Sequence, residues 1–139
     1  MPASGGRAVQ VTKHGGFAAF ESADGTSVYY SKGLHAAGLW KVPANGGEET
    51  AVLDFPNNPL WGYWALANTG IYFVTLDSST RPALKFFSFR TNRTSHVMAL
   101  DRLPVSHDAG LAISPDGRWL LYTQEDSRGS DIILVDNFY

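Results

Sequence analysis

A tight turn that occurs near both ends of the chain places the strongest constraint on the fold. Residues 114–117 read Ser-Pro-Asp-Gly, and residues 22–25 read Ser-Ala-Asp-Gly. Proline fixes φ at about −65°, which suits a type I turn, and the glycine accepts the left-handed conformation that follows. The flanking runs are too short for helices and are rich in β-forming residues. Each turn therefore predicts a pair of antiparallel strands.

Equivalent strands recur along the chain at intervals of roughly 40–50 residues, with about four short strands in each interval, which is typical of propeller blades. Val28, Ile71 and Leu120 begin equivalent strands after a turn glycine. The third strand of each unit is apolar on both faces or nearly so, which is typical of a sheet covered on both sides. These third strands are residues 39–42, 86–89 and 132–135. The sequence therefore predicts an all-β fold of three four-stranded propeller blades, with a two-sheet sandwich as the alternative.

The predicted blades do not form a closed ring by themselves. Blade 1 is predicted at about residues 16–54, blade 2 at about 61–101 and blade 3 at about 109–139, with residues 8–12 as the outermost strand that blade 3 lacks. Propellers contain about four to eight blades, so three are too few. We expect a homodimer that forms one six-bladed propeller, in which residues 8–12 pair with strand 132–135 of the other copy. The alternative is a fragment of a larger propeller that needs the missing blades.

Charge and composition exclude several classes of function. The formal net charge is −2 with scattered basic residues, so no nucleic-acid partner is expected. No cysteine is present for a disulfide, a thiol nucleophile or a Cys-based zinc site. No window approaches the roughly 18 apolar residues of a membrane span. The first residues lack the pattern of a signal peptide, so a cytoplasmic location is expected if the N-terminus is native.

Several stretches resemble WD-repeat-like propeller blades of the TolB type. The likeness lies in Ser-Pro-Asp-Gly-Arg at residues 114–118 with the apolar runs 120–122 and 131–135, and in Leu-Trp-Lys-Val-Pro at 39–43 followed by Gly46-Gly47. Residues 134–138 are similar to the C-terminus of bacterial proteins that place such a propeller behind a winged-helix regulator domain. The resemblance implies a propeller fold. Because no winged-helix segment lies within these 139 residues, a DNA-binding role is not carried over.

Three loop histidines are candidate binding residues. With the strands of a blade labelled a to d from the axis outwards, His14 and His107 lie in d–a loops and His35 lies in a b–c loop. These loops share one face of a propeller, which suggests a metal or acidic-ligand site. The three residues come from different blades, with no short ligand spacing and no obvious carboxylate beside each. Exposed loop histidines are therefore favoured, and neither a metal nor a cofactor is predicted.

Aromatic and basic residues are further candidates on the same face. Trp61 and Tyr63 begin blade 2 after a proline-bounded loop, where an aromatic ring is expected to stack on a ligand or anchor a partner. Trp64, in the same cluster, is expected to pack in the core. Arg81 and Arg128 lie in b–c loops and are expected to line a polar rim.

Catalytic motifs do not stand out in this sequence. No Gly-x-Ser-x-Gly elbow and no phosphate-binding glycine-rich motif is found. The expected function is a non-catalytic scaffold that binds a protein or peptide at the channel mouth. A propeller hydrolase or lyase with a metal or carboxylate site at the axis is one alternative, and a purely structural fragment is another.

Overall fold

The computed structural model describes residues 5–33, 38–54, 60–78, 81–102, 104 and 109–125. These residues form β-strands and no helix, so none of them belongs to a helix able to cross a membrane. In chain order the strands are β1 (Phe17–Glu21), β2 (Ser27–Ser31), β3 (Leu39–Pro43), β4 (Thr50–Leu53), β5 (Trp64–Ala67), β6 (Gly70–Ser78), β7 (Arg81–Ser88), β8 (Arg93–Ala99), β9 (Leu111–Ile113) and β10 (Leu120–Tyr122).

The strands form three antiparallel sheets in which neighbours in sequence are neighbours in space. Sheet 1 contains β1 to β4, sheet 2 contains β5 to β8, and sheet 3 pairs β9 with β10. The predicted all-β fold is confirmed, and the first two predicted units each form one four-stranded sheet. The predicted strand 132–135 lies outside the described residues. Residues 8–12 were also predicted as a strand, and they belong to none of the three sheets. The strand predicted to pair with them is strand 132–135 of another copy of the chain.

The repeated turn has the same hydrogen bonds in sheets 1 and 3. The hydroxyl of Ser22 donates to Asp24 Oδ1 at 2.6 Å, and that of Ser114 donates to Asp116 Oδ1 at 2.5 Å. Each serine hydroxyl also accepts a hydrogen bond from the backbone N–H at the start of the next strand. The glycine after each aspartate has φ of 68° or 70°, a conformation that glycine adopts without strain. Hydrogen bonds within each turn therefore account for these polar side chains.

Sheet 2 replaces this turn with a two-residue hairpin. Ala67 pairs with Gly70, so Asn68 and Thr69 connect β5 to β6. Glycine is required at position 70 because a β-carbon there would collide with the backbone carbonyl oxygen of Phe87. The departure of the middle unit from the Pro-Asp-Gly pattern therefore changes the turn and leaves the order of the strands unchanged.

Sheet 2 lies between the other two sheets, and its first face packs on sheet 1. Trp64 pairs with Phe73 and Ile71 pairs with Phe87, so these four side chains project from the same face. They form one buried cluster with Leu39 of sheet 1. The expectation that Trp64 packs in the core is confirmed, since 1% of this residue is exposed.

The second face of sheet 2 packs on sheet 3. Ala65, Val74 and Leu84 alternate with the residues of the first face, and they form a second buried cluster with Leu111 of β9. The middle sheet is therefore covered on both faces. A two-sheet sandwich contains no such sheet, because each of its sheets has one face in solvent.

Buried and partly buried hydrogen bonds connect the three sheets at fixed points. The indole N–H of Trp64 donates to Ser31 Oγ at 3.1 Å, and the Ser31 hydroxyl donates to the carbonyl oxygen of Trp61 at 2.8 Å. On the other side, the hydroxyls of Tyr63 and Thr123 lie 2.6 Å apart. Such directional bonds fix the register between sheets in a way that apolar packing alone does not.

Replacing Ile71 with alanine tests the packing of sheet 1 on sheet 2. We expect Ile71→Ala to lower the free energy of unfolding by about 2–5 kcal/mol, because it removes fully buried methyl and methylene groups and leaves a cavity. The exposed Val97 in β8 provides the control, and Val97→Ala is expected to cost less than about 1 kcal/mol. Urea unfolding followed by tryptophan fluorescence measures both. Equal losses in the two variants would contradict the layer arrangement.

Candidate functional site

Three segments that are distant in sequence meet at one end of sheets 1 and 2. We call this the loop end; it consists of residues 13–17, 31–33 and 60–63. The rings of Phe17 and Trp61 contact edge to face, with centroids 5.5 Å apart. The hydroxyl of Ser31 bonds the backbone of the same tryptophan. The structure therefore brings the segment that carries His14 and the segment that carries Trp61 together at one end of the two sheets.

The two aromatic candidates of blade 2 differ in their exposure. Trp61 is half-buried against Phe17, and its indole N–H is buried without a hydrogen-bond partner among the described residues. Tyr63 is 1% exposed, and its hydroxyl bonds Thr123 of the third unit. Trp61 thus offers part of a ring at the loop end, whereas the contacts of Tyr63 are those of a core residue.

The expectation that no carboxylate lies beside the loop histidines is wrong for His14. Its Nδ1 lies 3.2 Å from Glu49 Oε2, and the backbone N–H of Lys13 donates to the other oxygen, Oε1, at 3.1 Å. Glu49 directly precedes β4, and the pairing of β4 with β3 carries it to this position. No sequence spacing connects these residues, because the sheet register alone brings them together.

Glu49 is the centre of a charged cluster in which Lys32 is the main partner. The ammonium of Lys32 lies 2.9 Å from Glu49 Oε2 and 3.4 Å from the centroid of the Trp40 ring, a cation–π contact. The Glu49 side chain is 9% exposed. Hydrogen bonds from Lys32, then from His14 and the Lys13 N–H, outweigh desolvation and lower the pKa of this carboxyl to about 2. The cluster therefore holds a buried carboxylate in its charged form.

The hydroxyl of Tyr30 lies beside this cluster. Tyr30 is fully buried, and burial first, then the Glu49 carboxylate, raises the pKa of its hydroxyl. The two groups are close enough to shift each other's pKa, yet the hydroxyl forms no hydrogen bond of standard geometry with a described residue. This Tyr30 hydroxyl and the Trp61 N–H are the buried polar side-chain atoms that have no partner among the described residues.

The N-terminal segment covers the outer face of sheet 1. Tyr30 and Val42 project from the face opposite to Leu39 and sheet 2, and both are fully buried. A β-carbon on Gly16 would lie 3.1 Å from the Tyr30 ring and 3.6 Å from the Thr12 methyl group. Residues 12–16 therefore lie against this face, and Glu49 binds Lys13 and His14 at its edge.

The remaining candidates are placed only in part. Arg81 is exposed at the start of β7, at the same end of sheet 2 as Trp61. His35, His107 and Arg128 lie outside the described residues. Within the part of the chain that is described, no three His, Asp or Glu side chains are grouped as a metal site. The residues that sequence reasoning missed are Lys32, Trp40 and Glu49, for which no motif gives a signal.

Comparison with protein-family models finds no match, and no curated protein is similar to the chain. The function of the loop end is therefore inferred from its contacts. The half-buried indole of Trp61 and Phe17, a residue that is 48% exposed, are in contact there, and the exposed imidazole of His14 lies three residues before Phe17 in the same segment. Such a surface can stack on and hydrogen-bond to a partner, and the Glu49 cluster fixes the segment that carries the imidazole.

Replacing Glu49 with glutamine tests whether this carboxylate holds the N-terminal segment. We expect Glu49→Gln to accelerate amide hydrogen exchange at Lys13 severalfold, because the charged acceptor of its N–H and the ion pair with Lys32 are lost. Exposed Glu48 provides a matched control, and Glu48→Gln should leave exchange unchanged. Hydrogen exchange measured by NMR resolves the two variants. Unchanged exchange at Lys13 in Glu49→Gln would show that the segment is held by other contacts.

The lowered pKa of Glu49 predicts a loss of stability in acid. A glutamate in the unfolded chain has a pKa of about 4.3, so the stabilisation from the folded carboxylate is complete above that pH. It is lost as the pH falls through the folded value of about 2. Asp24, with a pKa of about 2, acts in the same direction. Guanidinium unfolding at several pH values should show stability falling below about pH 4, and Glu49→Gln should reduce that slope while Glu48→Gln retains it.

Proposed function

We propose that this chain is a non-catalytic scaffold of the β-propeller type, which assembles as a homodimer and binds a protein or peptide through its loop end. The observation that carries the proposal is the burial of both faces of sheet 2. A stack built in this way has apolar side chains on every sheet face. The outer faces of the two end sheets therefore need a cover; residues 12–16 supply it over part of sheet 1, whereas apolar side chains on the outer face of sheet 3 are exposed.

The outer face of sheet 3 supports the need for a second copy. Leu121 pairs with Ala112 in β9, and both project away from sheet 2, as does Trp119 two residues earlier. Trp119 is 68% exposed and Leu121 is 72% exposed. Large apolar side chains grouped in this way on a sheet face favour association.

The N-terminal segment supports strand exchange between the copies. It lies along the outer face of sheet 1, with the carbonyl oxygen of Gln10 close to Gly46 and the backbone of Lys13 bonded to Glu49. In a ring of blades, this face of sheet 1 is the one turned towards the adjacent blade. Val9 is 60% exposed, so this part of the segment is available to a strand of the other copy.

The composition of the loop end supports recognition of a protein or peptide. Interfaces are enriched in aromatic residues that present an apolar ring together with a polar group. Trp61 and Phe17 supply the rings, and His14, with 74% of its side chain exposed, supplies a hydrogen-bonding group. The Glu49 cluster holds the histidine in place, which reduces the entropy lost when a partner binds.

Sedimentation velocity over a range of concentrations tests the assembly. We expect the mass of a dimer, with an interface that buries on the order of 2,000 Å² or more. Leu121→Glu should shift the equilibrium to monomer, because it places a charge in the apolar contact. Val97→Glu, on the exposed strand β8, is the control and should remain dimeric. A wild-type chain that is monomeric at all concentrations would refute the proposal.

A further inference from the structure

A second concave surface lies at the opposite end of sheets 1 and 2 from the loop end. It is a groove of about 380 Å³ between the turn after β1 and the hairpin between β5 and β6. We call it the turn groove; the residues that matter here are Glu21, Asp24, Tyr29, Leu66, Asn68 and Phe89. The rings of Tyr29 and Phe89 stack at 5.6 Å with 30° between their planes, and they provide an apolar wall.

The charge of the turn groove has one sign. Glu21 and Asp24 line it, and no Lys, Arg or His side chain among the described residues does so. Hydrogen bonds from Ser22 and Thr26 lower the pKa of Asp24 to about 2, so this carboxylate is charged at neutral pH. Its charge also contributes, after burial, to raising the pKa of Tyr29. The charge of Asp24 therefore acts on the aromatic wall as well as at the rim of the groove.

One oxygen of Asp24 remains available in the turn groove. The Ser22 hydroxyl, the Thr26 hydroxyl and the Thr26 N–H all donate to Oδ1. Oδ2 accepts no hydrogen bond from the described residues. The hydrogen bonds of the turn thus occupy Oδ1, and Oδ2 can accept a hydrogen bond from a donor on another molecule.

In the equivalent turn of sheet 3, the second carboxylate oxygen lies beside a guanidinium group as an ion pair. There, the guanidinium of Arg118 lies with Nε 3.4 Å from Asp116 Oδ2, while Ser114 and the backbone N–H of Arg118 bond Oδ1. Thr26 occupies the position of Arg118 in the sheet 1 turn, and its short side chain bonds Oδ1 instead. Of these two turns, the one in sheet 3 therefore has a guanidinium beside its carboxylate, and the one in sheet 1 has none among the described residues.

We propose that the turn groove binds an arginine side chain of a protein partner. The guanidinium donates to Asp24 Oδ2 and is attracted by Glu21, while its methylene stem and planar group lie against the ring of Tyr29. This site uses none of the residues of the loop end or of the dimer contact. Its test is therefore independent of the proposed assembly.

An NMR titration with a short blocked peptide, acetyl-Gly-Arg-Gly-amide, tests the site. We expect the amide signals of Ala23, Gly25 and Asn68 to shift, with a dissociation constant in the millimolar range that is typical of a single side chain. The control peptide contains citrulline, which has nearly the same shape as arginine without its charge. It should cause no comparable shift. About 0.5 M sodium chloride should weaken the arginine effect, because the site is at the surface.

Two substitutions separate binding from a general electrostatic effect. Glu21→Gln should lower the affinity for the arginine peptide about three- to fivefold, whereas Glu48→Gln, remote from the groove, should not change it. Thr26→Arg supplies the guanidinium from within the chain, as Arg118 does in sheet 3, and should lower the affinity about tenfold or more. Equal shifts with the arginine and citrulline peptides, or full affinity in Thr26→Arg, would overturn the proposal. Dispersion of the remaining amide signals shows that each variant is folded.

Discussion

The burial of sheet 2 on both faces is the constraint on which the rest of the structure depends. Trp64 and Phe73 pack towards sheet 1, while Val74 and Leu84 pack towards sheet 3. A sheet with apolar side chains on both faces is stable only when another layer shields each face from water. The three units therefore have to stack. The same argument applies to the outer face of sheet 3, where Trp119 and Leu121 remain exposed, while residues 12–16 lie against the outer face of sheet 1.

The polar groups follow from this stacking. Ser31 and Tyr63 form hydrogen bonds across the two sheet contacts, because a polar group buried between sheets is costly unless it has a partner. Glu49 is buried at the edge of sheet 1 and is compensated by Lys32, His14 and the Lys13 N–H. The charged carboxylate of Glu49 therefore holds the N-terminal segment against the edge of sheet 1.

The two ends of the stack have different chemistry. The loop end presents Trp61, Phe17 and His14, whereas the turn groove presents Glu21 and Asp24 beside stacked aromatic rings. Turns and loops project at opposite ends of an antiparallel meander, so one repeat supplies two independent surfaces. A scaffold of this kind is suited to contact more than one partner segment.

Local patterns in the sequence were sufficient for the strands of sheets 1 and 2, their order within each sheet and the Ser-x-Asp-Gly turns, because strand alternation and turn chemistry depend on nearby residues. Residues 8–12 were also predicted as a strand and belong to none of the three sheets. The core position of Trp64 followed from its place in a strand. The Glu49 cluster, the burial of Tyr63 and the open oxygen of Asp24 were decided only by the tertiary structure. Each depends on which strands pair and which faces meet, and His14 and Glu49 become neighbours only when sheet 1 has formed. The separation of these residues along the chain does not predict such a contact.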